Sequence, residues 1–235
     1  MFVAAAVCPC PPLLVPEVAV GAAPELDPLR EACDEALREL LAQKPDLIWV
    51  IGPGPDHRLF DRGGVGGFQG FGVDLTVGLG ERHEGDTLPA SLAVGAWLLE
   101  RAGWAGPARA LAVPDYLEWP ICRENGTELR DAAPRVALLV LGEGSARRTV
   151  KAPGYLDERA EPFDAAVAAG LAAGALPELD AELAFELMAS GRAPWQVLTG
   201  AAGSDEQPAA SARLLYDDAP YGVGYFVASW LSSGV

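Results

Sequence analysis

Histidine is nearly missing from this chain: of 235 residues only His57 and His83 are of that type, beside four cysteines and two methionines. No pair of cysteines has the C-x-x-C spacing, which excludes a zinc ribbon or a thioredoxin-type redox motif. Cys8, Cys10, Cys33 and Cys122 form no secreted disulfide framework, and Cys8 and Cys10 are too close in sequence to bridge easily. Apolar runs such as "VALLVL" and "LIWVI" fall far short of the roughly 20 residues that span a bilayer. The N-terminus lacks a basic n-region and an A-x-A-like cleavage pattern. A cytoplasmic protein with reduced thiols is therefore expected. Positive charge is also short, with 17 Lys and Arg against 33 Asp and Glu, a formal net charge of −16 spread along the chain. Such a surface repels phosphate backbones, so nucleic acid and membranes are not expected partners.

What is present reads as one α/β domain over residues 1–235. "MFVAAAV" has the pattern of a buried strand, and "PELDPLREACDEALRELLAQ" that of a helix with Asp27 as N-cap and Pro28 behind it. Leu26, Leu29, Cys33, Leu37 and Leu40 recur at helical spacing, which puts Cys33 on the apolar face. "PDLIWVIG" is a second buried strand. Strand, helix, strand implies a crossover between parallel neighbours whose exits, "CPCPP" and "GPGPDHRLF", open on one edge. Further on, a glycine-rich loop surrounds one strand, "GFGVDLTVG". Then come the helix "LPASLAVGAWLLERAG", the strand "ARALAV", an irregular stretch over 114–134 and the strand "RVALLVLG". Three helical segments cover 159–202, and two strands flank a turn at Asp218, Ala219 and Pro220. The expected architecture is a three-layer αβα domain with a central sheet, mostly parallel or mixed.

Several constellations invite chemistry. Cys10 and His57 stand at two strand exits, and a thiolate with an imidazole suits zinc, copper(I) or iron. The plainer alternative makes Cys10 a small core residue and His57 a surface side chain. His83, in "GERHEGD", reads as solvated. "GEGSARR" follows a strong strand, so its backbone N–H groups are candidates for an anion cradle beside Arg147 and Arg148; a plain turn is the alternative. It has neither the lysine of a P-loop nor the dinucleotide spacing. No G-x-S-x-G elbow occurs. "YDDAPYG" reads as a turn with Tyr216 and Tyr221 packed on the sheet.

The order of these pieces resembles the class III extradiol dioxygenase superfamily, which contains the protocatechuate 4,5-dioxygenase beta subunit and the Memo-like proteins. "CPCPPLL" looks like the family's first strand ending in His-x-Pro, and "KPDLIWVIGPGPDHRLF" like its second. "RVALLVLGEGSARR" followed by "APGYLDERAEPFDAAVAAGLAAG" is similar to the segment bearing Gly-Asp-x-Ser-His and a Phe-Asp helix. "MASGRAPWQVLTGAAG" is similar to the late turn and its helix. The resemblance implies oxygen-dependent cleavage of a catechol-like ring at iron(II) held by two histidines and a carboxylate, with a further histidine as acid and base. On this chain the metal positions fall on Cys10, His57 and, for the carboxylate, on or near Ser190. The acid/base position falls on Ala146, beside Ser145. Cys8, Asp56, Asp115 and Glu143 are the neighbours from which a shell would be completed. Cys10 in place of imidazole shifts the expected metal toward zinc or copper. Three readings follow: a metal-dependent oxidoreductase with a degenerate site; a non-catalytic small-molecule-binding or scaffolding descendant without metal; and a thiol enzyme using Cys8 or Cys10, which needs a lowered thiol pKa. The resemblance also implies a homodimer.

Overall fold

The computed structural model describes residues 1–80, 86–203 and 208–232. Strand β1 (Phe2–Cys8) is apolar and buried at every position. It leads through a 3-10 turn (Pro12–Leu14), the short helix α1 (Pro16–Ala19) and a 3-10 stretch (Val20–Leu26) into α2 (Asp27–Ala42). Leu26, not Asp27, holds the cap position; the Asp27 carboxylate accepts from Arg30 at 2.7 Å inside the first turn. Next come β2 (Leu47–Pro53), β3 (Arg58–Phe60), the hairpin β4 (Gly63–Gly67) and β5 (Thr76–Gly80), α3 (Ala90–Arg101) and β6 (Ala108–Val113). The chain continues with α4 (Trp119–Arg130), β7 (Val136–Leu141), α5 (Ala160–Ala173), α6 (Ala181–Glu186) and α7 (Arg192–Ala202), and closes on β8 (Ser211–Asp218) and β9 (Tyr225–Leu231).

The main sheet has seven strands in the order β3-β6-β2-β7-β1-β9-β8. β6, β2, β7 and β1 run parallel, with antiparallel strands at both edges. Ala4, Ala6 and Cys8 of β1 face the layer of α2 and α3, while Ala5 and Val7 face α4, α5 and α7. This period of two, with apolar residues on both faces, is what a sheet covered by helices on each side requires. The αβα architecture with a mixed sheet is the expected one.

Three details differ. β1 and β2 are not neighbours: β7 lies between them, and Val136 aligns with both Phe2 and Leu47. β7 is apolar and fully buried along its length, which suits the central position, and nothing local to the first crossover announces a strand that arrives ninety residues later. The stretch 114–134 is not irregular, since α4 occupies its middle. Its Asn125 and Gly126 are poor helix formers, and packing against α7 overrides them: a Cβ at Gly126 would lie 2.1 Å from the Val197 carbonyl oxygen. The glycine-rich segment forms two paired strands instead of one. β4, "GGVGG", carries almost no side chain because the hairpin lies close to α3, where a Cβ at Gly66 would come 2.5 Å from that of Ala93.

Candidate functional site

Because β1, β2, β6 and β7 are parallel, their carboxyl ends open on one edge, the usual position for a ligand in such sheets. A cleft of about 1030 Å³ lies there. Its walls are the β2 exit (Pro53, Gly54, Pro55), the start of α3 (Pro89, Ala90, Ser91) and the α6–α7 link around Phe185 and Met188. Asp115 from the β6 exit and Arg147 from the β7 exit also line it. So does a charged group in which Arg159 bonds Asp157 at 2.7 and 3.0 Å and Glu186 at 2.6 Å. The Arg159 guanidinium holds the Asp157 carboxyl down at about 2. The cleft is thus an apolar cavity with a few fixed charges, the common composition of a small-molecule site.

The β7 exit, "GEGSARR", is a fully engaged turn. Over residues 142–148 the N–H groups donate in order to Cys8 O, Ser190 Oγ, Gly224 O, Asp164 Oδ1, Leu187 O, Ser145 Oγ and Gly222 O. No backbone donor is left for an anion. Ser145 is buried, and its hydroxyl donates to Leu187 O at 3.0 Å. The buried Asp164 accepts from Ser145 N–H at 2.8 Å and from Arg148 at 3.0 Å; burial nevertheless raises its carboxyl above the usual range.

Of the residues singled out from sequence, Cys10, Glu143 and Ser190 are brought together. The Cys10 N–H donates to Glu143 Oε1 at 2.8 Å, the Glu143 N–H donates to Ser190 Oγ at 3.0 Å, and the Ser190 hydroxyl returns a bond to Glu143 Oε2. The Cys10 thiol packs in the α2/α3 cluster, where burial and then Glu143 push its pKa well above normal. Cys8 is fully buried; hydrogen bonding to the Cys33 thiol, then burial, raises its pKa as well. Both thiols stay protonated at neutral pH, the opposite of what thiolate chemistry needs.

His57 is not beside Cys10. It is exposed, and its Nε2 faces Asn125 Nδ2 at 3.1 Å on α4, the helix layer opposite to the one that holds the thiol. The expected common crevice does contain Asp115 and Ser190, but Cys8, Cys10, Asp56, His57, Glu143, Ser145 and Ala146 do not line it. Asp56, exposed, belongs to a smaller hollow with Arg58 and Phe60. Ala146 is buried and its N–H is bonded to Leu187 O. His83 lies outside the described residues.

The donor set does not fit the iron, zinc or copper centre that the resemblance implies. Its thiol is buried in the α2/α3 layer, its imidazole sits against the other layer, and its carboxylate is occupied by Cys10 N–H and the Ser190 hydroxyl. Among the described residues, no group of three or more His, Cys, Asp and Glu is arranged to hold a metal ion. Sequence reasoning passed over Asp157, Arg159 and Met188, which lie in quoted stretches but at no position given a role, and Phe185 and Glu186, which lie in none. Met188, at φ 57°, is turned into the left-handed region, which its residue type does not announce.

Fold and cleft together define an αβα protein with a ligand-sized cavity over the carboxyl edge of its parallel strands. No known family matches the chain, and no curated protein does. Among solved structures, an uncharacterized protein, JW3007 from Escherichia coli K12, is similar over 97% of this chain and 99% of that one. The TM-score is 0.53 and the identity 14%, a likeness of fold. No helix among the described residues is long and apolar enough to cross a membrane.

Proposed function

We propose that this chain is a small-molecule-binding protein on a scaffold resembling the class III extradiol dioxygenases, with the cleft above β2, β6 and β7 as its binding site. One observation carries the reading: Cys10 is packed in the core, Glu143 and Ser190 are bonded to each other and exposed His57 faces Asn125 on the opposite layer, while the cleft of about 1030 Å³ keeps apolar and charged walls. Cys10 and Glu143 hold two strand exits together, and the cleft selects and orients its ligand.

Elemental analysis of protein purified without chelator, paired with oxygen uptake on catechol and protocatechuate, tests this. The expected outcome is metal below stoichiometry, unchanged in Cys10→Ala, with no sustained oxygen consumption. A chelator leaves the melting temperature where it was, since a metal bound only to the native state would raise it. Stoichiometric iron that disappears in Cys10→Ala, together with catechol-dependent oxygen uptake, would overturn the reading in favour of a metal-dependent oxidoreductase.

A further inference from the structure

We infer that the cleft takes an organic monocarboxylate with an apolar body, anchored by the Arg147 guanidinium, an inference that rests on the binding function proposed above. Three arginines come from the segments around the cleft. Arg148 is held by the buried Asp164 at 3.0 Å, and Arg159 by Asp157 and Glu186. Arg147 lines the cleft, and its guanidinium makes no hydrogen bond or ion pair among the described residues, although its charge adds to that of Arg159 in holding the Asp157 carboxyl down. Its Nε is buried without an acceptor.

A guanidinium that lines a cleft without a hydrogen-bonded partner is a planar fork that matches the two oxygens of a carboxylate. The anion-binding capacity expected of "GEGSARR" therefore resides in a side chain, since every backbone N–H of residues 142–148 is already engaged. Close packing directs that side chain. At Gly154 a Cβ would lie 2.6 Å from Arg147 Cγ and 2.8 Å from Met188 Sδ, so only glycine lets the arginine stem and the methionine close over that backbone. Beside the stem, Pro53, Pro55, Phe185 and Met188 give the apolar body of a ligand its surface.

Charge narrows the class further. Asp115, Asp157 and Glu186 line the cleft against Arg147 and Arg159, and the chain carries −16 overall. A dianion meets repulsion that a single carboxylate escapes once it pairs with Arg147.

Calorimetric titration with 2-naphthoate, its neutral counterpart 2-naphthalenemethanol and 2-naphthyl phosphate tests this on the wild type, Arg147→Gln and the cleft-filling Ala90→Trp. Naphthoate should bind at least about 10-fold tighter than the alcohol, the ratio expected of one charge-assisted pair, and tighter than the phosphate. Arg147→Gln should abolish the preference for the acid and leave the alcohol unchanged, which also shows that the variant is folded. Ala90→Trp should weaken both. Equal binding of acid and alcohol, or a preference that survives in Arg147→Gln, would overturn the anchor while the cleft reading stands. Tighter binding of the phosphate would overturn the monocarboxylate assignment. Absence of binding by all three probes, or indifference to Ala90→Trp, would overturn the cleft reading and this inference with it.

Discussion

Two regions lie side by side at the carboxyl edge of the sheet, built from the same kind of strand-exit loop, and they differ in how their polar groups are used. Around the exits of β1 and β7, Glu143, Ser145, Asp164 and Ser190 give donors and acceptors to one another and to the backbone; Ser145 and Asp164 are buried, Glu143 and Ser190 half-buried. Around the exits of β2 and β6 and the α6–α7 link, Asp115 and Phe185 are exposed, and Arg147, though it comes from the β7 exit, lines this cleft with a guanidinium that makes no hydrogen bond or ion pair among the described residues. A polar cluster that is already satisfied serves stability, because any ligand must first break its bonds; groups left unsatisfied in a cavity are the ones a ligand rewards.

The largest effect that would break this contrast lies at Asp164. Removing it leaves the Ser145 N–H and the Arg148 guanidinium without their acceptor, so Asp164→Ala should lower the unfolding free energy by about 3–5 kcal/mol in urea denaturation. Asp164→Asn, which keeps an acceptor and removes a charge that burial disfavours, should cost clearly less. Glu143→Ala comes second: loss of the acceptor for Cys10 N–H and the Ser190 hydroxyl should cost roughly 1–3 kcal/mol. A Glu143 variant with wild-type stability and impaired ligand binding would move that cluster from scaffold to site.

On the other side of the contrast, Arg147→Gln removes no hydrogen bond or ion pair among the described residues and only part of a packed stem. It should cost about 1 kcal/mol or less, below Glu143→Ala, while its effect on binding is the larger. The smallest effect concerns acid. Asp157 is depressed to about 2 from an unfolded value of 3.8, so its contribution is present above the unfolded value and is lost as pH falls from about 4 to 2. Asp157→Asn should flatten the acid limb of the stability curve in that window and nowhere else, as melting curves at stepped pH would reveal.

Much of the architecture follows from local pattern. Runs such as "VALLVL" and "LIWVI" became central strands, and the spacing of Leu29, Cys33, Leu37 and Leu40 placed Cys33 in the core. α4 escaped notice because its helicity comes from burial against α7 more than from its residues. The site was harder to read than the fold. Cys10 and His57 do stand at strand ends on one edge, as their positions imply. The insertion of β7 between the two strands, and the opposite layers their side chains address, separate them.

Hydrophobic periodicity is a property of neighbouring residues, so inspection of the chain sufficed for an αβα protein with a mixed central sheet. Which exits meet, which carboxylates are already bonded and which arginine is left to face the cavity depend on contacts between residues far apart in the chain. Arg147 and Arg148 make the point: adjacent and chemically identical, one meets a buried aspartate and the other an open cleft, because successive residues of a turn point to different surroundings.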